Sequence, residues 1–75
     1  MKNLLDIKIG QYVKLKSYKM DTPIKIKRRL LDLGFTEGQK LRTIRKSLLG
    51  KTYMLELRGF TLTLRKDILS FILVE

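Results

Sequence analysis

Alternating apolar and charged residues mark the first structural element of the chain. Val13 and Leu15 are each followed by a lysine. A period of two places one set of side chains in a core and the other in water, as in a half-buried strand. We therefore predict a strand over residues 12–16.

The segment after this strand carries the start signal of a helix. Asp21 or Thr22 can cap free N–H groups, and Pro23 has a backbone angle that suits the first helical position. Apolar residues then recur at helical spacing, which predicts that one face packs while the other is wet. The packed face contains Ile26, Leu30 and Leu33, with Leu31 beside it.

The end of this helix is marked as well. Gly34 stands where a helix commonly ends in a left-handed residue, and Phe35 is placed to contact Leu30 in a Schellman-type closure. We predict one short α-helix over about residues 23–33.

Beyond Gly38 the pattern indicates strands again, and a tight turn at Arg58-Gly59 predicts a hairpin. Arginine resists the positive φ of a two-residue turn, so the alternative is that Gly59 occupies a β-bulge. In both cases we expect six apolar side chains to meet in one core, namely Tyr53, Leu55, Leu57, Phe60, Leu62 and Leu64. The predicted strands are Leu41–Lys46, Thr52–Arg58, Phe60–Arg65 and Ile72–Val74.

Five short strands and one helix in 75 residues limit the choice of fold. They are too few for a sandwich or a parallel sheet, but they can close into a small barrel that hides its strand edges. There is no repeat, low-complexity tract or linker, and a chain of this length makes at most one domain. The sequence predicts a mainly β, SH3-like barrel of about five strands, with residues 1–75 as a single domain.

Composition removes several classes of function. The chain has no Cys and no His. It therefore cannot form a disulfide, and it lacks the thiolate and imidazole groups that bind zinc and the imidazole that most often acts as a catalytic base. Its carboxylates are scattered among basic residues, and no nucleophile–base pair is visible. We expect no enzymatic activity, no cofactor and no metal site.

Charge and hydropathy describe the surroundings in which the chain works. Lys and Arg number 17 against 7 Asp and Glu, a net charge of +10 that attracts phosphate, anionic lipid and acidic protein alike. The N-terminus lacks the apolar run of a secretory signal, and the longest apolar stretch, Ile68–Val74, is far shorter than the roughly 20 residues that span a bilayer. We expect a cytosolic protein.

Two segments of the chain, Arg29–Phe35 with Gly38 and Leu64–Arg65 with Ile72–Glu75, carry a resemblance to a known family. They resemble the helix end and the closing pattern of the FeoA family, the small cytosolic accessory proteins of the FeoB ferrous iron transporter. The resemblance covers essentially the whole chain. These motifs are structural, so they specify a fold better than an activity.

The resemblance implies a non-enzymatic accessory protein that binds the cytosolic part of a FeoB-like transporter at the inner face of the membrane and modulates iron uptake. By resemblance, the same barrel also forms the C-terminal domain of iron-dependent transcriptional repressors. No DNA-binding region precedes it here, so we expect the stand-alone accessory protein. Ferrous iron is normally held by imidazole, carboxylate or thiolate, and the chain has neither imidazole nor thiolate. We therefore expect the chain to act by protein contact rather than by carrying iron.

The densest charge of the chain lies on the predicted helix and is the first candidate binding surface. Lys25, Arg28 and Arg29 share its wet face. They could dock an acidic partner or the lipid phosphates of an anionic membrane beside a transporter. The alternative is an ordinary solvated face on which Asp32 partly balances the two arginines at helical spacing.

Three apolar residues are further candidates for partner binding. Leu48 and Leu49 lie at a predicted hairpin tip, where apolar residues are unexpected. An exposed apolar pair can anchor an interface, whereas a loop that folds back would use the pair to cover one end of the barrel. Met20, beside the helix start, can likewise fill a gap or meet a partner.

Tyrosines interleaved with lysines offer a different function. Tyr12, Tyr18 and Tyr53 could form a stacking platform for single-stranded nucleic acid. The simpler interpretation places Tyr53 in the core and the other two at its rim. A nucleic-acid-binding barrel is thus the alternative function and the less expected one, and the pattern does not determine the oligomeric state.

Overall fold

The computed structural model describes residues 1–75 and shows one six-stranded antiparallel sheet with two helices. Neither helix has the length and apolar character needed to cross a membrane. The strands are β1 (Lys2–Asn3), β2 (Val13–Tyr18), β3 (Lys40–Lys46), β4 (Thr52–Leu57), β5 (Phe60–Arg65) and β6 (Ile72–Val74). The helices are α1 (Ile24–Leu33) and α2 (Lys66–Leu69), and Leu4–Asp6 form a 3₁₀ turn.

The sheet wraps around one core because two of its strands are irregular. The strand order is β1-β6-β2-β3-β4-β5. The register shifts between Leu15 and Ser17 in β2 and between Thr43 and Arg45 in β3, and such bulges bend a sheet. Helix α2 directly follows the edge strand β5 and packs on the 3₁₀ turn beyond the other edge strand, β1. It therefore bridges the two edges of the sheet.

The mainly β fold and the predicted strands are confirmed, and two elements are additional. Strand β1 pairs with β6 through Lys2 and Asn3 only, which is too short for alternation to be visible. Helix α2 is a single turn. It is nevertheless part of the core, because its Leu69 is fully buried. The buried apolar residues are Leu4, Val13, Leu15, Leu30, Phe35, Leu41, Leu55, Leu57, Leu69, Ile72 and Val74.

Helix α1 begins without the predicted side-chain cap. Pro23 is the N-cap residue rather than the first helical residue, and neither Asp21 nor Thr22 caps the helix. The hydroxyl of Thr22 donates instead to the carbonyl of Lys19, 2.5 Å away. The capping prediction is wrong because this side chain closes the preceding turn.

The predicted end of α1 is confirmed. Gly34 has a φ of 106°. Its N–H donates to the carbonyl of Leu31, and the N–H of Phe35 donates to that of Leu30, both at 3.0 Å. These are the two hydrogen bonds of the Schellman motif. Because Phe35 is fully buried, the motif ties the end of α1 to the core.

The β4–β5 hairpin has the predicted position and a two-residue turn. Arg58 and Gly59 both have a positive φ, 53° and 82°, as in a type I′ turn. Leu57 pairs with Phe60 directly across this turn, so the alternative with a β-bulge is wrong.

The six apolar side chains of this hairpin do not all reach the core. Leu55 and Leu57 are fully buried, whereas Phe60 is 44% exposed. Phe60 begins an edge strand next to the turn and has a neighbouring strand on one side only. The expectation of six core side chains is therefore wrong for Phe60.

Candidate partner-binding surfaces

Lys25, Arg28 and Arg29 form a surface that we call the α1 basic face. All three are exposed. The burial of Leu30 and the anchored end of α1 orient this face away from the core. The two salt bridges of the structure lie elsewhere, and Asp32 forms an ion pair with neither arginine. The three basic groups are therefore free to contact another molecule, and their role in docking stays a prediction.

A small apolar groove lies beside the α1 basic face, between α1, β5 and α2. Its volume is about 190 Å³, below the roughly 300 to 1,000 Å³ of typical small-molecule sites. A groove of this size with a basic rim fits an apolar side chain of a partner better than a cofactor. Its lining residues are Lys25, Ile26, Arg29, Leu30, Leu64 and Ile68.

The turn between β3 and β4 presents two leucines to solvent. Leu48 is 100% exposed and Leu49 is 78% exposed. The interpretation that this loop folds back over the barrel end is therefore wrong. Met20 is also fully exposed, which excludes the gap-filling interpretation. All three apolar candidates are accessible to a partner.

Tyr12 belongs to a polar cluster at the start of β2. Its hydroxyl donates to Oε1 of Glu56 at 2.9 Å, and Nε of Arg42 donates to the same oxygen at 2.9 Å. The hydrogen bonds from Tyr12 and Arg42 hold the pKa of Glu56 below its usual value, and the bond to Glu56 raises the pKa of Tyr12. Nζ of Lys40 lies 4.4 Å from the ring centroid of Tyr12, within cation–π range.

Tyr18 and Tyr53 pack against the core. The hydroxyl of Tyr18 donates to the carbonyl of Phe35 at 2.6 Å, and burial raises the pKa of Tyr18 to about 12. Both side chains are partly buried, so Tyr53 contacts the core as predicted, and Tyr18, which was expected at the rim, does so as well. A stacking platform needs ring faces that are free on one surface. The three tyrosines are engaged within the fold, so no observation favours the nucleic-acid alternative.

The acidic residues do not gather at one place. No group of three or more Asp and Glu side chains is arranged to hold a metal ion.

Comparison over the whole chain identifies the family. The family model described as FeoA domain matches residues 2–75. The chain belongs to the FeoA family. The resemblance drawn from the segments around Gly34 and Ile72–Glu75 is thereby confirmed.

Solved structures of FeoA proteins have the same fold. A FeoA-like protein from Clostridium acetobutylicum is 31% identical, with a TM-score of 0.86 over 99% of this chain and 84% of its own. FeoA from Chlorobium tepidum is 32% identical, with a TM-score of 0.85 over 99% of this chain and 68% of its own. No protein among those with curated descriptions matches.

A third FeoA structure confirms the predicted class of barrel. FeoA from Stenotrophomonas maltophilia, complexed with zinc, is 21% identical, with a TM-score of 0.81 over 100% of this chain and 89% of its own. That protein is described as a prokaryotic SH3 domain protein and is proposed to act as a bacterial ferrous iron transport activating factor.

Within this FeoA fold, the sequence pattern indicated the α1 basic face and missed the groove beside it. Helical spacing placed Ile26 and Leu30 on the packed face of α1. The opposite wall contains Ile68, which lies on α2. A single helical turn has no periodic signal of its own, so only its apolar composition pointed to burial.

Proposed function

We propose that this FeoA-family chain is a non-enzymatic cytoplasmic accessory protein that binds the cytosolic part of a FeoB-like ferrous iron transporter and modulates iron uptake. Family membership supports the transport role, as does similarity to a FeoA described as a transport activating factor. The observation that carries the docking proposal is the unpaired α1 basic face beside an apolar groove.

The chemistry of this surface specifies the partner segment. Lys25 and Arg29 line the rim of the groove, so a segment with a carboxylate close to an apolar side chain would satisfy both parts. Complementary charges accelerate association and select the partner, while a buried apolar anchor supplies affinity. Met20, exposed shortly before the start of α1, adds an adaptable apolar contact.

Capture of the detergent-solubilised transporter by the purified chain tests this surface. Changing Lys25, Arg28 and Arg29 together to Glu is expected to weaken capture by about tenfold or more, because like charges placed across an interface cost several kcal/mol.

The matched control makes the same change of net charge at Lys8, Lys14 and Lys16, which are exposed and lie outside α1. The control should retain capture. Equal losses in the two variants would contradict a specific α1 surface, and failure of the unmodified chain to capture the transporter would contradict the function itself.

We further propose that the chain acts without carrying iron. It has neither His nor Cys, and its carboxylates form no cluster that could hold an ion. Calorimetric titration with Fe²⁺ under anaerobic conditions should show no tight site. Stoichiometric, tight binding of Fe²⁺ would refute this part of the proposal.

A further inference from the structure

The turn between β3 and β4 carries leucines where its geometry does not require them. The N–H of Gly50 donates to the carbonyl of Ser47 at 2.9 Å, so Leu48 and Leu49 occupy the two central positions of a β-turn. Such positions favour Pro, Gly, Asn, Asp and Ser, which suit the backbone angles or form local hydrogen bonds. Leucine does neither, and both side chains point into solvent. We call this pair the leucine apex.

The leucine apex is held in place by hydrogen bonds. Oγ of Ser47 accepts from the N–H groups of Lys51 and Thr52 at 3.2 Å each. The N–H of Ser47 also donates to the carbonyl of Thr52 at 2.8 Å. An ordered turn loses little conformational freedom when its side chains bind, so the apex is organised for contact before it meets a partner.

Basic residues surround the leucine apex on both sides. The N–H of Lys66 donates to the carbonyl of Lys51 at 2.8 Å, which brings the start of α2 against the turn. The acidic residue of this region, Asp67, is paired with Arg65 at 3.0 Å. We call the surrounding cations the basic ring, which consists of Arg45 and Lys46 beside Leu48, and of Lys51, Arg65 and Lys66 beside Leu49.

We propose that the leucine apex and the basic ring bind the surface of an anionic lipid bilayer, with Leu48 and Leu49 inserted among the head groups. This contact goes beyond docking on a transporter and does not depend on it. Stable protein interfaces cover about 800 Å² on each partner, which a protruding point of two side chains does not supply. A bilayer accepts isolated apolar side chains, and its anionic head groups attract basic residues at the surface. Lipid is therefore the partner that this geometry favours.

Co-sedimentation with vesicles tests the proposal. The unmodified chain should bind vesicles made of equal parts phosphatidylcholine and phosphatidylglycerol, and not pure phosphatidylcholine. Salt at about 0.5 M should weaken this binding, because it screens the charges of the basic ring. The double variant L48S/L49S should bind at least about tenfold more weakly, since the apolar contribution is lost.

Two further double variants separate the basic ring from net charge. Changing Lys51 and Lys66 to Glu should also weaken vesicle binding by about tenfold or more. Changing Lys14 and Lys16 to Glu alters the net charge equally at exposed positions of β2, outside both the basic ring and the α1 basic face, and should leave vesicle binding within about threefold of the original. I9S/I24S, which removes two other exposed apolar side chains, is the control for the apex and should leave vesicle binding within about threefold of the original. All these positions are exposed, so thermal unfolding should show that each variant is folded.

A fluorescent reporter tests insertion directly. The chain contains no Trp, so L48W introduces a single indole at the apex. Its emission should shift to the blue with anionic vesicles and not with phosphatidylcholine, and brominated lipids should quench it. Absence of vesicle binding, or of the blue shift, would overturn the proposal.

The remaining outcomes also decide the proposal. Equal weakening by the ring variant and its β2 control would mean attraction by net charge alone, and this would overturn the proposal. Loss of transporter capture by L48S/L49S with vesicle binding unchanged would assign the leucines to a protein partner and overturn it as well. Loss of vesicle binding with transporter capture intact supports it and leaves the proposed function standing.

Discussion

The two hairpins that share β4 use their turns in opposite ways. In the β4–β5 turn, Arg58 has a φ of 53°, although a residue with a Cβ resists this conformation. Its side chain lies over Gly34, where an added Cβ would come within 2.9 Å of Cδ of Arg58. In the β3–β4 turn, by contrast, the side chains of Leu48 and Leu49 point into solvent.

The difference lies in what each turn does for the core. Leu57, next to Arg58, is buried, so register and packing determine the first turn even at the cost of backbone strain. No core residue adjoins the second turn, so core packing does not restrict which side chains this turn carries. Substitutions near the first turn should change stability, and substitutions in the second should change binding.

The largest expected effect comes from Leu57. L57A should lower the free energy of unfolding by about 2–5 kcal/mol, because it leaves a cavity in a closely packed core. L48A, the same change at a fully exposed position, should stay within about 0.5 kcal/mol. Urea denaturation measures both, and equal effects would contradict the contrast between the hairpins.

A smaller effect is expected at two glycines, Gly34, which contacts Arg58 of the β4–β5 turn, and Gly50, which lies in the β3–β4 turn. G34A should cost about 1–2 kcal/mol for its positive φ, with an added penalty from the contact with Arg58. G50A has the same backbone demand, with a φ of 72° and no atom within 4 Å of the new Cβ. It should therefore cost less than G34A.

Adding R58A to G34A should remove the extra destabilisation of G34A relative to G50A, because R58A removes the side chain that the new Cβ meets. A double-mutant cycle followed by urea denaturation measures this coupling. Additive effects in the cycle would show that Arg58 does not constrain Gly34.

The smallest effect is expected from Ser47. S47A removes the acceptor for two backbone N–H groups at the surface and should cost about 0.5–1.5 kcal/mol. Hydrogen exchange at Lys51 and Thr52 should accelerate. Unchanged exchange there would mean that this side chain does not organise the turn.

Much of the sheet follows from local pattern. Two strands that both alternate around a short turn can pair in only one register without exposing their apolar faces, which is why Leu55 and Leu62 face each other as predicted. The end of α1 could also be predicted, because a helix commonly ends at a residue with positive φ and Gly34 adopts this conformation readily.

The elements that escaped prediction depend on contacts far apart in the sequence. Asn3 ties β1 to the end of α2, since its Nδ2 donates to the carbonyl of Ser70 at 2.7 Å. The same side chain accepts from the N–H of Leu5 at 2.9 Å and so starts the 3₁₀ turn. No periodicity reveals a single residue that joins distant segments.

The candidate surfaces were predictable to different degrees. The α1 basic face follows from charge collected opposite the apolar face of a helix. Exposure of Leu48 and Leu49 does not follow, because apolar residues are buried by default. The two hydrogen bonds to Oγ of Ser47 fix the turn that presents these leucines to solvent. A hydropathy pattern gives no information about such bonds.

The position of β6 affects how the protein is made. This strand lies between β1 and β2, with Val74 paired to both Lys2 and Leu15. While the ribosome is synthesising the middle of the chain, β1 and this edge of β2 have nothing to pair with. The barrel can be completed only after residue 74 has left the exit tunnel, so the last step of folding follows translation of the whole domain and depends on contacts between its two extremes.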